Sequence, residues 1–449
     1  MRVPLKYLGV GALTALLAIC AAEVFGAPQT GRDSKPANET AQRIINILPS
    51  RKFEVEPLAL EVSKVDCDLR QAIGEGFMHL ASVSLDMGPK DLPYSEVRGS
   101  RRVNMPEPEH EIALYVLNPA DCSTDTVVIT KQAGKLISPE GWSIDIVKRS
   151  NGIRWNYWNT EYVIASPVGW IVVANNYPFE DVVSKTEKVR DKRGRLVTRT
   201  VTTTAVKYAL YSPYSEALRV SDLILNGQYF LGATAKRAKD ELRAAGVVSR
   251  AFRDRLVADV PMFKDEVFVR LALMEHSDWT EFRALPEWTT ERLLATIGAN
   301  EERFAANTCN RKSACGIMQF TNMNGDGTYD MIVEKYPSAG LDPEFSTGAA
   351  DPLNAMKAAI LLHDNNLKAL TDAYGPSIAQ DGRIEEFLAA LYNASWKSVT
   401  RSLTPALKGK KAEWTGKLLT ETKGYIAKLR WLRDVYFEPT VVAENKAVL

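Results

Sequence analysis

Glu275 closes a stretch that almost excludes polar residues. From Val267 to Met274 every position except Arg270 is apolar, so the run reads as a mostly buried helix. A carboxylate at the end of such a helix is hard to ionise, because burial disfavours the charged form. The negative end of a helix macrodipole pushes the same way. An acid kept protonated near neutral pH can hand its proton to a leaving group. Glu275 is therefore the candidate general acid. The competing reading is a structural glutamate paired with an Arg or Lys.

The elements around it fall into two kinds. From about Val260 to Tyr436 the chain reads as helix and loop. Asp351-Pro352 opens a helix with a cap and a first-turn proline. Leu353, Met356, Ile360, Leu367 and Leu370 line one face of it. Arg383 to Asn393 is a second helix, with Ile384, Phe387, Leu388 and Leu391 inward, and Leu418 to Tyr436 a third. Upstream, to about Pro213, the pattern is β. Glu111 to Asn118, Asp125 to Lys131 and Ser143 to Arg149 alternate as strands do. Tyr162 to Ser166 and Gly169 to Asn176 read as buried strands, and Val182 to Leu210 as a long hairpin turning around Asp191 to Gly194. That hairpin carries seven basic residues between Lys185 and Arg199. They form either a solvated tip or an arm for an anionic partner. Four aromatics between Arg154 and Tyr162 could fill a core or stack on sugar faces. Thr234 to Ala245 and Ser249 to Val257 read as short amphipathic helices joining the halves, with Thr234 and Ser249 as N-caps.

The 449 residues suggest two or three domains. A net charge of +1 gives no global pull toward nucleic acid. Arg2 and Lys6 precede an apolar run from Tyr7 to about Ala22, with small residues through Gly26 and Ala27. This is the layout of a secretory signal peptide, and an uncleaved membrane anchor is the alternative. Lipidation at Cys20 is a weaker reading. Export permits disulfides among the other four cysteines. Cys67 with Cys122, and Cys309 with Cys315, stay within domains, and the two other pairings stay open. No metal or cofactor is expected, because no Cys-x-x-Cys occurs and the four histidines form no ligand spacing. Asn322, Asn324, Asp326 and Asp330 have the spacing of a calcium loop with Gly327 at its turn. The twelfth position is Val333, so a plain turn is the expectation.

Five motifs follow one another in the helical half: Glu275 after its apolar run, "ACGIMQF" (Ala314 to Phe320), the helix from Asp351 to Leu370, "LAALYNAS" (Leu388 to Ser395) and "TETKGYIAKL" (Thr420 to Leu429). In this order the series resembles the soluble lytic transglycosylase family, relatives of goose-type lysozyme, nearest its membrane-bound D type. The resemblance covers about 40% of the chain, the C-terminal part only. It implies a periplasmic enzyme acting on peptidoglycan glycan strands. The β-1,4 bond between N-acetylmuramic acid and N-acetylglucosamine would be cut with closure of a 1,6-anhydro ring. Glu275 would be the sole acid, then base, unlike the usual two-carboxylate arrangement. Met318 and Gln319 would line the cleft. Tyr392 and Asn393 would orient the glutamate and the substrate's acetamido group. Glu421 and Tyr425 would form a supporting shell.

His276 stands where the family has serine, and Ser395 where it has glycine, followed by Trp396. Thr280 to Asn310 exceeds the usual link and reads as a lid or an extra subsite wall. Trp279 and Trp288 there belong either to a glycan surface or to the core. The expected architecture is multidomain α+β. It comprises a signal peptide (1–26), a linker (27–50), a β-rich domain (51–230), connecting helices (231–259), an all-α lysozyme-like domain (260–437) and a tail (438–449). Two other functions stay in play: a hydrolase on the same fold, with Asp278 or Asp326 activating water, and a glycan-binding scaffold with a degenerate site.

Overall fold

The computed structural model describes residues 67–85, 95–98, 101–104, 110–132, 135–148, 161–190, 194, 196–306, 314–322, 327–409 and 413–437. The N-terminal apolar run, the linker, the aromatic stretch before Glu161, Cys20, Cys309, Asn324, Asp326 and the tail lie outside them. So do the side chains of the basic hairpin. Residues 62–449 group as one compact unit.

The fold is α+β. Among the described residues helix α1 (Leu69–Ala81) comes first. Asp68 caps it, accepting from the Gln71 amide at 2.9 Å. Its apolar positions, Leu69, Ala72, Ile73, Gly76, Phe77 and Leu80, are all buried. A short hairpin follows, β1 (Ser95–Arg98) with β2 (Arg101–Asn104). The main sheet is antiparallel, in the order β5 (Lys135–Ile137), β4 (Thr124–Gln132), β3 (His110–Leu117), β8 (Ile171–Arg190), β9 (Leu196–Tyr211). Helix α1 lies on one face of this sheet. A Cβ on Gly76 would come within 2.8 Å of the Tyr115 ring and 2.9 Å of Ala174, so glycine lets the helix sit this close. Cys67 and Cys122 form a disulfide at the edge of this layer. Cys315 is also disulfide-bonded.

Two β expectations need correction. The buried strand from Gly169 and the first arm of the hairpin are one continuous strand, β8. Tyr162 to Ser166 is not a buried strand. It is part of β7 (Glu161–Ser166), which among the described residues pairs only with β6 (Ser143–Lys148). Tyr162 alone of the strand is buried.

The helical body begins earlier than expected. Helix α2 (Ser221–Ala244) is a single 24-residue element, so the boundary placed at residue 230 falls inside a helix. No helix covers Ser249 to Val257. Ser249 instead accepts from the Phe252 amide at 2.9 Å and donates to the buried Asp364 at 2.5 Å. Then follow α3 (Asp265–His276), α4 (Trp279–Ala284), α5 (Pro286–Asn300), a two-residue hairpin of β10 (Ala314–Cys315) and β11 (Phe320–Thr321), α6 (Thr328–Lys335), α7 (Phe345–Gly348), α8 (Pro352–Tyr374), α9 (Ile384–Asn393), α10 (Trp396–Leu407) and α11 (Thr420–Trp431). The stretch expected as a lid, Thr280 to Asn310, is largely α4 and α5. Residues Thr289–Asn300 of α5 are buried except Glu291. Among the described residues no helix is long and apolar enough to cross a membrane.

Helix α8 runs through the middle, buried at most positions from Pro352 to Asp364. Its cap is the expected one, with Asp351 accepting from the Asn354 amide at 2.6 Å. Helices α2 and α5 cross backbone to backbone. A Cβ on Gly227 would overlap the Leu294 carbonyl, and one on Gly298 the Leu223 carbonyl. Gly298→Ala must therefore push the helices apart, at a cost of about 1–3 kcal/mol or more. Gly232, on the same helix, has nothing within 4 Å of its Cβ position. Gly232→Ala is expected to be neutral or to stabilise by up to about 1 kcal/mol. Urea midpoints for the two variants check the contrast.

Candidate active site

Glu275 lies in the last turn of α3. The helix forms because Val267 to Met274 are all buried, including Arg270, whose guanidinium pairs with Glu385 at 2.6 Å. The helix stops where Ser277 turns to extended backbone. Asp278 then caps α4 through the amides of Thr280 and Glu281. This elbow leaves the Glu275 side chain half-buried, walled by protein but still reached by solvent.

Tyr425, on α11, donates its hydroxyl to Glu275 Oε1 at 2.5 Å. Burial raises the carboxyl from its usual 4.5 to about 7. The Tyr425 hydrogen bond and the charge of Lys428 pull it back, and the charge of Glu421 adds to the rise. The hydroxyls of Tyr392 and Tyr425 are both pushed well above their ordinary value, by burial and by the nearby Glu275 carboxylate. They therefore stay protonated and act as donors.

The loop between β10 and β11 forms a second wall. Gly316 has φ +72°, and a Cβ there would collide with the Ala349 carbonyl. Only glycine satisfies both constraints. Gln319 has φ +49° without being glycine. Its side chain folds back, donating from Nε2 to the Gly316 carbonyl at 2.8 Å. Tyr392 donates to the Met318 carbonyl at 2.6 Å, and His276 Nε2 sits 3.0 Å from the Ile317 carbonyl. A carbonyl only accepts, so Nε2 carries the proton. The His276 ring meets Phe304 edge-on at 4.9 Å. Burial lowers His276 to about 4, so it is neutral across the physiological range.

The structure thus brings Glu275, Tyr425, Tyr392 and the glutamine loop together, with Glu421 exposed in the first turn of α11. Asn393 follows Tyr392 and is half-buried. Several expectations change. The Met318 side chain, expected to line a cleft, is fully buried; the residue contributes its carbonyl. Tyr392 bonds to the loop and not to the glutamate, which Tyr425 holds instead. His276, expected to stand in a serine position, braces the loop through the Ile317 carbonyl. Ser395 starts α10 with φ −64°, a conformation that needs no glycine. Trp279 lies against Gly424 of α11. Trp288 bonds to Glu216 and meets Tyr214 edge-on. Both tryptophans are thus held by protein. Of the calcium-loop residues, Asn322 donates to Asp330 at 3.4 Å. Among the described residues no three carboxylate, histidine or cysteine side chains cluster as metal ligands.

One site residue escapes a sequence reading that starts from Glu275. Lys428 is buried beside it. The signal was its place three residues after Tyr425, on the same helical face and between the apolar Ile426 and Leu429.

Comparison with family models, with curated proteins and with solved structures gives no match for this chain.

The raised pKa of Glu275 carries a stability consequence. Between about pH 4.5 and 7 the unfolded chain ionises Glu275 before the folded one does. Stability is therefore lost as pH rises through that window. Glu275→Gln keeps the shape and cannot ionise. It is expected to stabilise the protein at pH 8 by on the order of 2 kcal/mol, with the gain vanishing below pH 4.5. Denaturant melts of both proteins at the two pH values test this.

Proposed function

We propose that this protein is an exported peptidoglycan lytic transglycosylase whose helical body is a lysozyme-like catalytic domain. The reading rests on one observation above all. Glu275 is a half-buried acid with a pKa near 7, held by a tyrosine hydroxyl, and the nearest guanidinium on its own helix, Arg270, is committed to Glu385. The order of motifs along the chain supports it, as does the convergence of Glu275, the glutamine loop, Tyr392 and Tyr425.

The chemistry follows from the environment. Glu275, protonated, donates to the glycosidic oxygen as the bond to C1 of N-acetylmuramic acid breaks. The bonding electrons leave with that oxygen. The substrate's own acetamido group meets the positive charge at C1. Glu275, now a carboxylate, takes the proton of the 6-hydroxyl as that oxygen closes on C1. One carboxyl group serves both halves, because no water has to be activated. Asp278, the nearby candidate for a second carboxylate, is exposed and occupied as the cap of α4. That favours ring closure over hydrolysis.

Purified sacculi digested with the protein are expected to release 1,6-anhydro-muropeptides, identified by mass. Glu275→Gln should lower the rate by at least about 10²-fold. Wild-type kcat/KM should fall above about pH 7 as the acid ionises. Reducing-end products carrying heavy oxygen from labelled water would establish a hydrolase instead. Glycan binding without turnover would establish a scaffold.

A further inference from the structure

Lys428 is 6% exposed. A lysine sits that deep only when its charge is met. Its Nζ donates to the Met274 carbonyl at 3.0 Å and to the Ser277 carbonyl at 2.5 Å. These two residues bracket Glu275, and the Met274 carbonyl is among those a helix end leaves without an intrahelical partner. The ammonium therefore ties the end of α3 to α11. Neutral donors could satisfy the same carbonyls without the desolvation of a charge. The added feature of an ammonium is its field.

The charged groups that face it are few. Glu275 faces it from α3, Asp278 from the start of α4, and Glu421 from α11 itself. The Tyr425 ring lies 6.0 Å away. Asp278 and Glu421 are exposed, so solvent screens them. Glu275, half-buried, is the counter-charge that matters, and it is a charge only once its proton has gone.

We propose that Lys428 is a positioning residue for glycan cleavage: it fixes the end of α3 and stabilises the carboxylate that Glu275 becomes after protonating the leaving oxygen. This deepens, and rests on, the reading of Glu275 as acid and base. Lys428 exchanges no proton with the substrate. The proton passes from Glu275 to the glycosidic oxygen, and Glu275 later recovers one from the 6-hydroxyl. Between those events the ammonium faces a half-buried negative charge. Burial holds Lys428 down at about 8, so it is still mostly charged where Glu275 gives up its proton.

The test separates a field from a prop. In Lys428→Met the Glu275 titration should move to higher pH by about one unit, and kcat/KM should fall at least tenfold with its alkaline limb displaced alike. Lys428→Arg keeps the charge and should hold the midpoint within a few tenths of a unit. The midpoint is read by carbon NMR of labelled glutamate, using the resonance that disappears in Glu275→Gln. Should Lys428→Met fail to fold, the reciprocal measurement needs no lysine variant. The Lys428 Nζ titration, followed by nitrogen NMR, should fall in Glu275→Gln relative to wild type, because its counter-charge is gone. A midpoint unmoved in either direction, in protein that cleaves glycan, overturns this inference alone. A wild type inactive on every glycan overturns the reading beneath it, whatever the titrations show.

Discussion

The structure depends on holding one carboxyl group at the end of a buried helix without letting it ionise freely. Desolvation is the dominant force on Glu275, and it acts toward the neutral acid. Left alone, it would make a poor proton donor, since a very weak acid gives its proton up reluctantly. Two features of α11 oppose it. The Tyr425 hydroxyl bonds to the carboxylate form, and Lys428 supplies a positive field. The result is an acid near 7 rather than one locked neutral. Both opposing groups lie on one helix, three residues apart, so the spacing of a helical turn delivers them to the same face.

That arrangement needs α3, α9 and α11 in fixed register. Two adjacent acids on α9 supply it by pairing in different directions. Glu385 takes Arg270 of α3, and Glu386 takes Arg430 of α11 together with the indole of Trp414. Arg433, just past α11, also reaches Glu386 at 3.4 Å. Pairs with one buried partner are weak contributors to net stability, yet breaking one strands the buried charge. They therefore penalise a shifted helix more than they reward the right one. The central helix α8 is tied the same way. Asp364, fully buried, accepts from Ser249, from the Arg250 amide at 2.6 Å and from Tyr336 at 2.8 Å. Its neighbour His363 packs 5.7 Å from the Tyr392 ring, so the wall behind that tyrosine is part of the same core.

Much of this was legible in the residues. Alternating patterns located β3, β4 and β6 to within a few residues, and the turn and second arm of the β8–β9 hairpin, though not the start of its first strand. The Asp-Pro signal located the start of α8. The apolar run before Glu275 marked α3 and the burial that raises its acid. Other features were hidden for physical reasons. Helix α1 carries a clear apolar stripe from Leu69 to Leu80 behind its Asp68 cap, but it lies in a stretch dominated by strands. Helix α2 reads as starting late because its first half uses small or amphipathic contacts, such as Gly227 against the Leu294 carbonyl and Asn226 against the Gly298 carbonyl at 2.7 Å. Periodicity does not register a contact made by the absence of a side chain. Residue types also could not say which tyrosine holds the acid. Tyr392 and Tyr425 are equally able donors, and only the packing assigns one to the loop and the other to Glu275.

The glutamine loop shows how strained backbone is held by donors from distant parts of the chain as well as by its own. The carbonyls of Gly316, Ile317 and Met318 are three in succession. Each meets a different donor: the Gln319 amide and side chain, His276 from α3, and Tyr392 from α9. A turn with Gln319 at positive φ costs on the order of 1 kcal/mol or more and persists only if its surroundings over-determine it. Here they do, from both sides. His276 is the residue next to Glu275, and Tyr392 feels the Glu275 charge, so the loop is braced by the elements that frame the acid. Any movement of α3 that displaced Glu275 would also pull His276 off the Ile317 carbonyl and leave a buried polar group unpaired. The loop and the acid are thus mechanically one unit, and a histidine in this position does the coupling through its length, which a serine could not span.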